Sequence, residues 1–521
     1  MERINRRSFI KKSAGGAVVV GVSVLPSVST LYAEAADSVR RPNILFAMAD
    51  DWSWPHAGVY GDKAVQTPAF DRVARSGCLF THTYAAAPQC SPNRAAILTG
   101  RSIWQLEEAG THSSYFPQKF AVYPELLEAA GYHVGCTGKL WGPGNWKDAG
   151  RSRNPAGPGY NKRQLKSTPA AGIGKCDYSA NFNDFFDSKP EGRPFCFWYG
   201  CREPHRSYEI GSGLKSGRNI GDVVVPPFLP DDPVVRGDIL DYYLEIEWFD
   251  RHLGRILQML ENAGELENTL IVVTSDNGMP FPRAKANLYE YGTHMPMAVC
   301  WPSRVKAGRT IGDFISFIDF APTFLDAAGL TPPAGMSGRS FLDVLLSDKS
   351  GRIDPSRDRV FTGRERHSHS RFDNLGYPSR AIRTSKYLYV RNFKPDRWPA
   401  GDPEGYCDID GGPTKDFMMK HRDTGKNKNL FELAFGKRPA DELYDIAKDP
   451  ACTINVAERP EYAGVRVELQ AELERLLKEQ KDPRVSGTGD VFESYPRFGV
   501  MRDWLGGFHE RGVYNPKYRM K

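Results

Sequence analysis

Two short runs, residues 43–49 and 270–275, constrain this chain most: both are mostly apolar, and they end in Asp50-Asp51 and Asp276-Asn277. A run of six or seven residues without polar alternation reads as a strand covered on both faces. Further runs at 132–137, 195–200 and 297–301 alternate with helical patterns. Thr67-Pro68 supplies a cap and a first-turn proline, and Tyr243, Ile246, Leu253, Leu257 and Leu260 recur at helical spacing. This alternation predicts an α/β domain built on a large, mostly parallel sheet with helices on both faces. Ligands of such sheets gather beyond the C-terminal strand ends, where Asp50, Lys139, His205 and Asp276 all follow predicted strands. A second part begins near Gly363. Residues 387–390 and 443–445 read as strands there, and Val465, Leu469, Leu473, Leu476 and Leu477 form an amphipathic pattern.

With 521 residues, 40% hydrophobic and 25% charged, the chain has room for one large domain and a smaller one, and its composition excludes disorder. Arg6-Arg7-Ser8-Phe9-Ile10-Lys11-Lys12, an apolar stretch to Leu31 and the site Ala33-Glu34-Ala35 read as a twin-arginine signal peptide over 1–35, removed after Ala35. The expected partner is then the twin-arginine translocase, and the expected location periplasmic or secreted. Residues 1–35 carry five basic and two acidic residues, so their removal lowers the formal charge from +6 to +3. Global charge points to no nucleic-acid partner. Locally, Lys147, Arg151, Arg153, Lys162, Arg163, Lys166 and Lys175 face the single acid Asp148, which would favour a polyanion if this run borders the site. All nine cysteines follow the signal. Cys136, Cys196 and Cys300 sit in strand-like runs as small core residues, while Cys196 with Cys201, or Cys407 with Cys452, could pair.

Cys90-Ser91-Pro92-Asn93-Arg94 runs into an apolar stretch closed by Gly100, which reads as a helix with a glycine C-cap and Cys90 at its N-terminus. Such an end stabilises a bound anion. Taken alone, the segment fits an inert buried thiol equally well. Asp50, Asp51, Asp276 and Asn277 are all oxygen donors, a set suited to Ca2+, or Mg2+, rather than zinc.

Taken together these segments resemble the type I sulfatases of the alkaline phosphatase superfamily, from Arg41-Pro42-Asn43-Ile44-Leu45 to Glu442-Leu443-Tyr444-Asp445 and Asp449-Pro450. Within that family the chain is most similar to the sulfamidases (N-sulfoglucosamine sulfohydrolases), through residues 275–282, Asn287-Leu288-Tyr289 and residues 225–230. The resemblance implies an alkaline phosphatase-like catalytic domain over 40–362, a C-terminal α+β subdomain with a small antiparallel sheet over 363–485, and a tail over 486–521. It also implies that the Cys-x-Pro-x-Arg core is read by a formylglycine-generating enzyme and that residue 90 becomes a formylglycine. One oxygen of its hydrate would bind the metal and attack sulfur; the second would expel sulfate from the resulting sulfate ester. Asp50, Asp51, residue 90, Asp276 and Asn277 would hold the metal. Arg94, Lys139 and Lys285 would bind the hydrate and the sulfate, and His205 would protonate the leaving atom. Phosphatase relatives generally carry a histidine at the position of Asn277. The family commonly has histidine at position 141, where this chain has Trp141, so either Asp51 or His112 takes that proton or turnover is impaired. His112 and His294 are candidate substrate contacts, with a structural role for either as an equal alternative. The implied activity is sulfate removal from a sulfated carbohydrate or polysaccharide, with N-sulfoglucosamine cleavage or non-catalytic binding of sulfated glycans as alternatives.

Overall fold

The computed structural model describes residues 40–371, 375–403 and 405–498. The signal-peptide expectation over 1–35, and the tail beyond 498, lie outside these residues. A seven-stranded sheet runs in the order His133–Gly138, Phe195–Gly200, Asn43–Ala49, Thr269–Ser275, Met297–Cys300, Cys78–Phe80, Arg309–Ile311. Met297–Cys300 is antiparallel to both its neighbours, and the other pairings are parallel. The expected runs are all strands. Cys78–Phe80 and Arg309–Ile311 went unread because three residues carry no usable period.

Asn43–Ala49 is buried throughout, and its alternate residues feed two separate cores: Ile44, Phe46 and Met48 on one face, Leu45, Ala47 and Ala49 on the other. On the first face lie helices Cys90–Thr99, Tyr123–Ala129 and Phe320–Ala327; on the second, Pro68–Arg75, Tyr178–Asp187 and Pro233–Asn262. Pro233–Asn262 starts cleanly because the Asp232 carboxylate accepts from the Val234 N–H at 2.9 Å and proline fills the first turn, where its missing donor costs nothing.

Register then sets the site. Ala49 pairs with Ser275, and Gly138 pairs with Gly200, so these strands end level with one another. Gly138 is required: its φ is +76°, and a Cβ there would lie 2.0 Å from the Gly200 carbonyl oxygen. Four antiparallel strands, Arg359–Arg364, Ser379–Thr384, Tyr387–Asn392 and Asp441–Asp445, form the second sheet in chain order. Helix Ala463–Glu479 packs through Leu469, Leu473 and Leu477. No disulfide joins the cysteines: all nine are free thiols, Cys196, Cys201, Cys407 and Cys452 included.

Candidate active site

Cys90 opens helix Cys90–Thr99, which ends at Gly100 in the left-handed region (φ +64°), as the apolar run and its glycine predicted. Gln89, the residue before the helix, provides no side-chain cap to its first N–H groups. Cys90 Sγ and one carboxylate oxygen each of Asp50 and Asp276 lie within 4.8 Å of one another, all buried. Asp50 pairs with Lys139, and its Oδ1 lies 3.8 Å from the Arg94 guanidinium. Asp276 Oδ2 accepts from Arg94 Nε at 2.8 Å, while Oδ1 accepts from the backbone N–H groups of Asp51 (3.0 Å) and Asn277 (2.8 Å). Asp51 adopts φ 76°, a conformation costing about 1–3 kcal/mol outside glycine. Its carboxylate accepts from Lys285 Nζ at 2.6 Å and from Asn277 Nδ2 at 2.7 Å.

Two observations bear on a cation. Asn277 Nδ2 donates to a carboxylate, which fixes the amide so that Oδ1 is the other atom, and that Oδ1 is buried with no hydrogen-bond partner; Asp50 Oδ1 likewise has none. An all-oxygen set with orphaned acceptors and crowded carboxylates fits a hard divalent ion. Burial and the neighbouring Asp50 carboxylate raise the Asp276 pKa. At Asp50 burial also acts upward, but the Lys139 ammonium, with His205 and Arg94, outweighs it and lowers the pKa.

Arg94 is fully buried. Besides Asp276 it donates to the carbonyls of Lys139 (2.6 Å) and Leu140 (3.0 Å), tying the helix to the strand end that carries Lys139. His205 donates from Nδ1 to the Arg206 carbonyl at 2.7 Å, which leaves Nε2 facing Asp51 at 3.9 Å with the side chain 27% exposed. His112 is brought to residue 90 itself, with Nε2 3.3 Å from Sγ. Its Nδ1 lies 3.1 Å from the His367 carbonyl, an acceptor only, so the proton sits on Nδ1 and Nε2 presents its lone pair. Burial, with the His367 and Arg497 charges, holds His112 well below the usual histidine range. Trp141 is a packing residue: its indole donates to the Ser91 carbonyl at 3.1 Å and meets the Phe116 ring edge-on at 5.0 Å.

His294 is not brought to this cluster, contrary to the expected substrate contact. Its Nδ1 meets Glu290 at 3.1 Å and its Nε2 the Thr81 carbonyl at 2.9 Å, and its ring stacks on Trp54 at 4.4 Å. Both nitrogens are committed, so none remains for a sugar. Sequence reading missed the C-terminal contribution. Asp410 lies 3.0 Å from Lys285 Nζ, and Asp408 holds His367 (3.4 Å), Arg364 (2.9 Å) and Arg371 (2.6 Å) beneath His112. The segment 408–412 (Asp-Ile-Asp-Gly-Gly) has the composition of an ordinary turn, and no local pattern marks it as part of a site.

The family model described as Sulfatase matches residues 42–330, the span that carries every residue of the oxygen cluster. The chain belongs to the sulfatase family. A second family model, described as "N-sulphoglucosamine sulphohydrolase, C-terminal", matches residues 283–402 of this sulfatase. It is 29% identical over 479 residues to an ulvan-active sulfatase of Formosa agariphila, covering 84% of this chain and 75% of that one. It is 28% identical over 495 residues to the N-sulphoglucosamine sulphohydrolase of Homo sapiens, covering 87% and 93%. The solved structure of BT4656 in complex with its substrate D-glucosamine-2-N,6-O-disulfate superposes with a TM-score of 0.63 at 22% identity, covering 85% of this chain and 98% of that one. At that identity the likeness establishes the fold. The sulfatase is thus a sulfuric ester hydrolase, with a large mixed sheet and a separate antiparallel one.

Proposed function

We propose that this sulfatase removes sulfate from a sulfated carbohydrate, with residue 90 matured to formylglycine and one Ca2+ held by Asp50, Asp51, Asp276, Asn277 and residue 90. The supporting observation is the convergence of Cys90 Sγ with the Asp50 and Asp276 oxygens inside 4.8 Å, beneath a helix N-terminus. The ion would polarise a sulfate oxygen, and formylglycine would supply a hydrated aldehyde in place of an ordinary hydroxyl. The chain's own residues account for the rest. Lys139 and Lys285 bring positive charge to the sulfate oxygens, each oriented by a carboxylate that also belongs to the metal set. Arg94 fixes the helix against the strand ends. His205 Nε2, aimed past Asp51 with Nδ1 tied to a carbonyl, stands ready to protonate the leaving oxygen or nitrogen. His112 presents an acceptor nitrogen to residue 90, the service for which position 141 has no histidine.

Two substrate classes follow from the relatives. The Formosa agariphila relative is described as ulvan-active, whereas the human relative and the C-terminal match favour N-sulfoglucosamine. The twin-arginine segment favours export to the periplasm or beyond, after a formylglycine-generating enzyme has acted. Repeated release of sulfate from a panel of sulfated mono- and oligosaccharides that includes N-sulfoglucosamine is the expected result. Mass spectrometry of the peptide around residue 90 should find the aldehyde. Binding without any turnover by matured protein, or only thiol in active exported enzyme, would overturn the respective part.

A further inference from the structure

At the centre of the site three cations meet four carboxylates: Lys139 faces Asp50, Arg94 faces Asp276, and Lys285 lies between Asp51 and Asp410. Positive charge without a salt-bridge partner lies in the loop that follows Lys139. In the basic run, Arg151 is spent on Glu125 (2.8 Å), Arg153 donates to Glu128 (3.0 Å), and Arg163 pairs with Asp184 (2.7 Å). Lys162, Lys166 and Lys175 are exposed, as is Arg202, three residues before His205. Among the described residues none of these four forms a salt bridge.

Their loop is fastened to the site at both ends. Asn161 Oδ1 accepts from the Gly138 N–H at 2.7 Å, immediately before Lys139. At the other end the Gly174 N–H donates to Glu203 at 2.7 Å and the Ala171 N–H to Glu209 at 2.9 Å, on either side of His205. The Leu165 N–H bonds the Lys175 carbonyl at 2.7 Å, which draws the segments bearing Lys166 and Lys175 together. His133–Gly138 is an edge strand of the sheet, and residues 158–160 bond to Cys136 along its outer side, so this loop forms the margin of the sheet next to Lys139.

We propose that Lys162, Lys166, Lys175 and Arg202 form a subsite for an anionic group of a neighbouring sugar, so that the substrate is an oligo- or polysaccharide carrying several sulfates or carboxylates. This rests on the sulfated-carbohydrate reading above and specifies its substrate class. Exposed cations each contribute only a few-fold, so several acting together give about tenfold.

The test compares the full chain with Lys166→Gln/Lys175→Gln/Arg202→Gln, whose exposed positions leave the core intact, as matched melting temperatures would confirm. The first readout is binding of a heparin hexasaccharide to protein that retains the Cys90 thiol, across a salt series. About tenfold weaker binding by the variant, with a shallower salt dependence, is expected. Unchanged affinity and slope, or no binding of the hexasaccharide by the unaltered chain, overturns the subsite. The second readout, on matured enzyme, is the ratio of kcat/KM for the hexasaccharide to that for N-sulfoglucosamine, which should fall in the variant. Failure of the unaltered matured enzyme to release sulfate from any compound sinks the sulfated-carbohydrate reading, while the binding series still decides the rim.

Discussion

At the scale of single residues, His205 and Asp276 separate two kinds of loss. His205 contacts no buried partner through Nε2 closer than the 3.9 Å to Asp51, so removing it should leave the metal set in place. His205→Ala is expected to slow the first turnover about 10²–10⁴-fold for sugar sulfates and much less for an activated aryl sulfate, whose leaving group needs no proton. Equal losses on both would assign His205 to holding sulfate. Asp276 organises far more: two backbone N–H groups, Arg94 and the orphaned acceptors beside it depend on one carboxylate. Asp276→Ala should abolish turnover and also the bound divalent ion measured by elemental analysis, with far-UV circular dichroism unchanged. Retention of one equivalent of metal would remove Asp276 from the ligand set.

Among the elements, helix Pro233–Asn262 carries a burden unrelated to catalysis. Glu245 on this helix is buried, neither carboxylate oxygen has a hydrogen-bond partner, and burial, reinforced by Glu203, raises its pKa to about 9. Arg206 and Arg202 act the other way, and Asp241 adds to the rise. The folded chain thus holds this proton more tightly than the unfolded chain, so stability is lost as pH rises from the ordinary glutamate range toward about 9. Glu245→Gln should flatten that decline by on the order of a few kcal/mol, as read by urea unfolding at pH 6 and pH 9. An unaltered slope would show that the acid is solvated or paired in solution. The central strand offers a simpler case: Phe46→Ala removes a fully buried ring that meets Trp198 at 5.0 Å and should cost about 3–5 kcal/mol. The elements legible in sequence were those whose own side chains record their surroundings. Residues 43–49 and 270–275 are apolar on both faces because both faces are covered, and the acids after them mark the strand ends. Cys78–Phe80 is too short to leave such a record, and Asp410 earns its place from the partner it meets, which lies 125 positions away in the chain at Lys285.

On the scale of the whole molecule, the two sheets divide the labour. The large sheet and the helix after it supply the oxygen cluster, Cys90, Arg94 and Lys139, which strand ends and the cysteine motif marked in the sequence, whereas Lys285 was named only through the family resemblance. The C-terminal half supplies the supports, the His367 carbonyl under His112 and Asp410 against Lys285, through contacts that only the folded chain brings together. His294 follows the structural one of its two readings: both ring nitrogens meet protein partners, Glu290 and the Thr81 carbonyl. The division also imposes an order in time. Cys90 is made 277 positions before His367 and earlier still than Asp410, and at translation rates of about 5–20 residues per second that interval is roughly 15–60 s. Throughout it the supports of two neighbours of the site, the His367 carbonyl under His112 and Asp410 against Lys285, have not yet been synthesised. An enzyme that had to reach Cys90 would have this interval on the nascent chain to do so, and a slower ribosome would lengthen its opportunity.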